Sequence, residues 1–191
     1  MAKKVFFSFH YQDVIDFRAN VVRNHWMMKP DRQVAGFFDS SIWESAKKTS
    51  VLALKRLING GLENTSNTCV LVGSETYDRR WVRYEIMKSL EKGNNIFCVH
   101  VNSIKGKNGL TKPLGPNPFL YLGYSYNSTG NRVRLHEFKN NSWVEYSDLE
   151  GWNVRPVEEK FRNQIYQLSS KYHIYNWLKD DGYNMFAKWV Q

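Results

Sequence analysis

The chain has 191 residues, of which 42% are hydrophobic, 24% charged and 15% aromatic, the profile of one ordinary folded soluble domain with a real core. No apolar run approaches the length needed to cross a bilayer, so no membrane partner is expected. The formal net charge of +9 would favour polyanions or nucleotides, with simple solubility as the plainer reading.

In chain order, residues 4–9 form a short β-rich run bounded by polar residues, a first strand. Asp13 then precedes a helical pattern with Val14, Phe17 and Val21 on one face, and aspartate is a good N-cap. A second strand is expected at 34–38, ending on Asp39. Residues 49–62 predict a second helix, with Leu52 and Leu57 on its apolar face and Gly60-Gly61 weakening its end. The run TCVLV at 68–72 is apolar almost throughout and predicts a strand covered on both faces. Asp78 is placed to cap a third helix over 79–92, closed by Gly93, and a fourth strand follows at 96–101.

Strand–helix alternation of this kind predicts an α/β fold, a parallel sheet flanked by helices. Ligands of such sheets bind at the carboxyl ends of the strands. That rule singles out Phe9, His10, Tyr11, Asp39, Gly73, Ser74, His100 and Asn102. The second half differs. Residues 106–118 read as a loop, 121–126, 132–138 and 143–146 as short antiparallel strands, and 156–178 as a final helical stretch before a turn at Asp181-Gly182. No Pro/Ser linker separates the halves. One domain over 1–191 is expected, an α/β core at 1–105 with an elaboration at 106–191 packed on it.

Cys69 and Cys98 sit in apolar runs and predict buried free thiols, as in a cytoplasmic protein. The N-terminus lacks the extended apolar region and cleavage site of a signal peptide. No CxxC and no zinc-spaced histidine pair occurs, so no metal is expected. Zinc-finger spacing, an RNP sequence and a basic heptad region are absent, and nucleic acid is not expected as a partner. GxGxxG, the P-loop and GxSxG are absent too, so any nucleotide chemistry needs another design.

The strongest local signal is VLVGSETYDRRWVRYEI. Trp81 and Glu85 are four apart and share a helix face. Val82, Ile86 and Leu90 make the core stripe, which leaves Glu85 at its edge, beside an aromatic ring and below a strand end. Spacing alone favours a solvated glutamate paired with Lys88, Lys92 or Arg83. The Trp adds a surface on which a base or pyridinium ring can stack.

The spacing Ser74-x2-Tyr77-x3-Trp81-x3-Glu85 resembles the segment of TIR domains that bears their catalytic glutamate. FFSFHYQD resembles the first TIR strand, with Ser8 in the family's serine position and Asp13 in its acidic position, and Asp39 matches the aspartate before the loop that flanks the TIR site. Across essentially the whole chain, KKVFFSFHYQDVIDFRANVVRNHW, INGGLENTSNTCVLVGS, RRWVRYEIMKS, GPNPF, YLGY and DDGYN are similar to ThsB, the TIR-like subunit family of the Thoeris anti-phage system. The resemblance implies a flavodoxin-like TIR sheet. It also implies an enzyme that senses infection and converts NAD into a cyclic ADP-ribose isomer, a messenger to a separate effector. NAD is then the substrate, with no cofactor or metal, and the activator is derived from infection, a phage protein being one candidate. Oligomeric assembly would be compatible with it. The chain departs from the common TIR pattern in having Val82 where a Cys is usual, in lacking Gly-Pro elements after Asp39, and in its second-half hairpins.

On this resemblance Glu85 is the catalytic carboxylate and Trp81 an aromatic wall. Phe6, Ser8, Phe9 and His10 are candidate pocket residues, of which strand alternation lets only some face the ligand. Asp39 would bind ribose hydroxyls or cap a turn, and Trp43 would stack on a ring or simply pack. Ser74 and Tyr77 serve the ligand or only the turn. A non-catalytic TIR-like adaptor is the alternative, against which the presence of both Trp81 and Glu85 counts.

Overall fold

The structure, a computed structural model, describes residues 3–36 and 48–190. Its first half runs β1 (Lys3–Phe9), α1 (Tyr11–Ile15), α2 (Arg18–Met27), β2 (Arg32–Ala35), α3 (Val51–Leu62), β3 (Asn67–Val72), α4 (Arg80–Lys92) and β4 (Asn95–His100). The second half adds β5 (Leu122–Tyr126), β6 (Arg132–Lys139), β7 (Ser142–Glu145), β8 (Trp152–Asn153), β9 (Tyr166–Gln167), β10 (Ile174–Asn176) and α5 (Gly182–Trp189). The expected α/β class holds. Strands in the order β10-β4-β3-β1-β2 form a parallel sheet. A second, antiparallel sheet has the order β7-β6-β5-β9, with β8 pairing with β6.

Strand β3 is buried along its whole length, as a strand covered on both faces must be. On one face Val5, Phe7, Cys69, Leu71, Phe97 and Val99 pack with Val22 and Trp26 of α2 and Phe186 of α5. On the other, Val70, Val72, Ile96 and Cys98 meet the α4 stripe of Val82, Ile86 and Leu90, and Leu122, Val133 and Leu135 of the antiparallel sheet close over them. Both cysteines are free and buried. No helix among the described residues is long and apolar enough to cross a membrane.

Several local expectations are corrected. The first predicted helix is broken at Phe17, whose φ is 64°, into α1 and α2. His10 occupies the N-cap position and Asp13 lies inside α1, with its carboxyl drawn inward rather than capping. The second strand spans Arg32–Ala35, and residues 37–38 lie outside the described residues. Helix α3 buries Leu54, Ile58 and Leu62, while Leu52 is exposed; its cap is Ser50, whose hydroxyl accepts from the Ala53 N–H. Asp78 does not cap α4 but pairs with Arg83, whereas Gly93 closes that helix in the left-handed conformation as expected.

The stretch 156–178 is not a helix. It forms short 3-10 turns, β9 and β10, and the terminal helix comes only at α5. Phe161 and Ile165, apolar at helical spacing, are exposed, while Leu168 and Trp177 are buried in different cores. Pairing with β4 satisfies the β10 backbone, so long-range contacts override the local period. The second half therefore donates an edge strand to the parallel sheet as well as packing on it.

Candidate active site

Alternation along β1 decides which of its residues can meet α4. Val5, Phe7 and Phe9 face the α2 and α5 side, while Phe6 lies on the opposite side with α3 and α4. Ser8 shares the Phe6 face, and its hydroxyl donates to Glu85 Oε2 at 2.5 Å. Phe9 is thereby assigned to core packing on the far face.

Glu85 is not the edge carboxylate that helical spacing suggests: it is 5% exposed and lies between α4 and β1. Burial pushes its carboxyl up to about 8, against the opposing effect of the Ser8 bond. Below it, a chain of polar groups fixes the helix against the sheet. The Ser89 hydroxyl donates to the Glu85 carbonyl at 2.7 Å and meets the Thr68 hydroxyl at 2.8 Å. Asn94 Nδ2 in turn donates to Thr68 and Thr65, each at 3.1 Å. Spacing gave no sign of this network because its members come from two helix turns, a strand and a loop.

Trp81, one turn above Glu85, is half-buried and packs against the cluster of Phe6, Ile58, Leu62 and Tyr84. Its ring meets Tyr84 edge-on at 5.9 Å, and the Arg80 guanidinium lies 5.0 Å from its centroid. The cluster also receives Leu149 from the second half of the chain.

The remaining candidates are dispersed. His10, half-buried at the end of β1, is held below its usual value by burial and by Arg79. Ser74 is half-buried beyond β3, next to Gly115, where a Cβ would lie 3.0 Å from the Ser74 Cα. The Tyr77 ring meets that of Tyr121 at 5.1 Å, tilted by 40°, at the junction with the second half. Asp39 and Trp43 lie outside the described residues. His100 ends β4, two strands away from β1, and Asn102 follows it; His100 Nδ1 and Asn102 Oδ1 are buried with no hydrogen-bond partner among the described residues. No cluster of three or more metal-ligating side chains occurs among the described residues.

Asp13 is a second buried carboxyl at the same strand ends. It bonds with Thr76 and is pushed up to about 6, chiefly by burial. It presses on Gly73 so closely that a Cβ there would stand 2.2 Å from its Oδ2.

The parallel sheet flanked by helices, with Glu85 of the helix after β3 against Ser8 of β1, agrees with the TIR-type fold that the sequence resemblance implied. The family model described as "Thoeris protein ThsB, TIR-like domain" matches residues 6–105, just over half the chain. A protein of Bacillus cereus (strain MSX-D12) named "Putative cyclic ADP-D-ribose synthase ThsB1" is 61% identical over 191 residues, covering 100% of both chains. The chain belongs to the ThsB family of TIR-like proteins.

Proposed function

We propose that this chain cleaves NAD and closes the ADP-ribose part into a cyclic isomer, a messenger to a separate effector in anti-phage defence. The observation that carries the reading is the buried Glu85 held by Ser8, in a chain 61% identical to a protein named for cyclic ADP-ribose synthesis.

The bond broken joins nicotinamide nitrogen to the ribose anomeric carbon. Nicotinamide leaves neutral with the electron pair, and positive charge develops on the ribose, as in glycoside cleavage. A carboxylate beside that carbon stabilises the charge. Capture by a hydroxyl of the same molecule gives the cyclic product and a proton; capture by water gives linear ADP-ribose and a proton. Glu85 rests mostly protonated at neutral pH. The cationic nicotinamide ring favours its ionised form, so substrate itself helps to create the catalytic carboxylate. Trp81 supplies a flat wall one turn above. No metal or cofactor enters this scheme. The protein acts in the cytoplasm, in response to an infection-derived activator, and oligomeric assembly is compatible with that response.

The test is mass spectrometry of small molecules in phage-infected cells that carry this chain and no effector. Wild type should release nicotinamide and the cyclic product, and Glu85→Gln should lower both by at least about 100-fold while folding normally. Undiminished nicotinamide release by Glu85→Gln would remove Glu85 from the reaction. Assembly without NAD turnover would favour the adaptor reading.

A further inference from the structure

The 146–150 segment, which follows β7, lies outside the stretch matched by the TIR-like family model, yet it reaches the wall beside Glu85. Asp148 sits between α3 and α4. Arg80 donates to it twice, from Nε at 3.0 Å and Nη2 at 2.8 Å. From α3, Lys55 Nζ lies 3.1 Å from Asp148 Oδ1 and donates to the Asp148 carbonyl at 2.7 Å. The paired cations hold the Asp148 carboxyl below its usual range, Arg80 foremost. The next residue, Leu149, enters the apolar cluster of Phe6, Ile58, Leu62 and Tyr84 against which Trp81 packs.

These contacts form a chain to the chemistry. Asp148 orients Arg80, the Arg80 guanidinium lies over the Trp81 ring, and Trp81 stands one turn above Glu85. A bidentate guanidinium–carboxylate pair is directional and rigid. Here it is anchored at a third point by Lys55, so the tops of α3 and α4 cannot part without breaking it. We infer that the Asp148-Leu149 segment is a positioning strap that holds Trp81 over the reacting ribose and keeps water out, biasing capture of the ribose cation toward the internal hydroxyl. Internal capture depends on near-attack geometry and a dry site, whereas hydrolysis needs only cleavage and one water. Loosening the strap should therefore change which product forms, and not only how much. The inference rests on the NAD-cleaving reading above.

Asp148→Asn and Leu149→Ala are compared with wild type in infected cells lacking the effector, by the ratio of cyclic to linear ADP-ribose and by total nicotinamide. Each variant should lower the ratio at least about threefold, with Asp148→Glu recovering part of it. Circular dichroism and the thermal midpoint of each purified variant report folding. If Asp148→Asn does not fold, Leu149→Ala, which keeps every charge, decides the matter alone. An unchanged ratio in a folded variant, even with less total product, overturns the strap and leaves the NAD reading intact. Absence of nicotinamide from wild type overturns both.

Discussion

At the scale of single residues, the chemistry turns on one hydrogen bond between side chains 77 positions apart. Ser8 donates to Glu85 and so favours the ionised carboxyl, while burial opposes ionisation and dominates. If the carboxylate is the working form, kcat/KM for NAD should rise with pH and level off above about 8. Removing the Ser8 hydroxyl should move that inflection upward and lower kcat/KM at pH 7 by roughly tenfold, the worth of a hydrogen bond to a charged group. A Ser8→Ala profile superimposable on wild type would disprove the coupling. The same shift makes a stability statement. The folded protein keeps on Glu85 a proton that the unfolded chain releases above its ordinary value of 4.5. The resulting stabilisation is full below 4.5 and is lost as pH rises through about 8. Glu85→Gln carries no such dependence. Its thermal midpoint should exceed that of wild type at pH 9 by roughly 2–4 °C or more, the equivalent of about 1 kcal/mol. Parallel melting curves for the two proteins from pH 5 to 9 would contradict this.

At the scale of elements, sequence patterns served where burial is periodic and failed where a single polar group was drawn inward. Strand β3 and the Val82, Ile86, Leu90 stripe were readable because every member faces the core. Asp13 was not: as a residue type it suits a cap, yet its carboxyl turns in against Gly73 and Thr76. The glycine is what permits the approach. A Cβ at Gly73 would stand 2.2 to 2.5 Å from the Asp13 carboxyl atoms, so α1 or the turn after β3 would have to shift. Gly73→Ala should cost about 2 kcal/mol, typical of overpacking in a closed site. Urea unfolding measures it, and a midpoint equal to that of wild type would show that α1 moves freely.

At the scale of the whole molecule, charged contacts tie the antiparallel sheet to the helices of the parallel one. Arg83 is buried and donates to Glu137 at 2.7 Å, to Asp78 at 3.1 Å and to the Tyr77 carbonyl at 3.1 Å. Glu137 side-chain exposure is only 14%, so deleting Arg83 leaves a largely desolvated carboxylate unpaired. Arg83→Ala should destabilise by about 3 kcal/mol. Restored urea stability in Arg83→Ala/Glu137→Gln would confirm that the unpaired charge causes the loss, and no recovery would reject it. Legible in the sequence were the α/β alternation, strands β1 to β7 to within a few residues, and Glu85 as the carboxylate worth testing; β8, β9 and β10 were not. The alternation and the strands rest on periodicity along the chain, whereas Glu85 stood out through the resemblance to TIR-like proteins, since helical spacing alone favoured a solvated residue. Three-dimensional packing was needed to bury Glu85 under Ser8 rather than leave it at an edge, to make 174–176 a strand of the parallel sheet rather than part of a helix, and to bring Leu149 into the wall. Those outcomes depend on partners dozens of residues away, whose energies no local pattern contains.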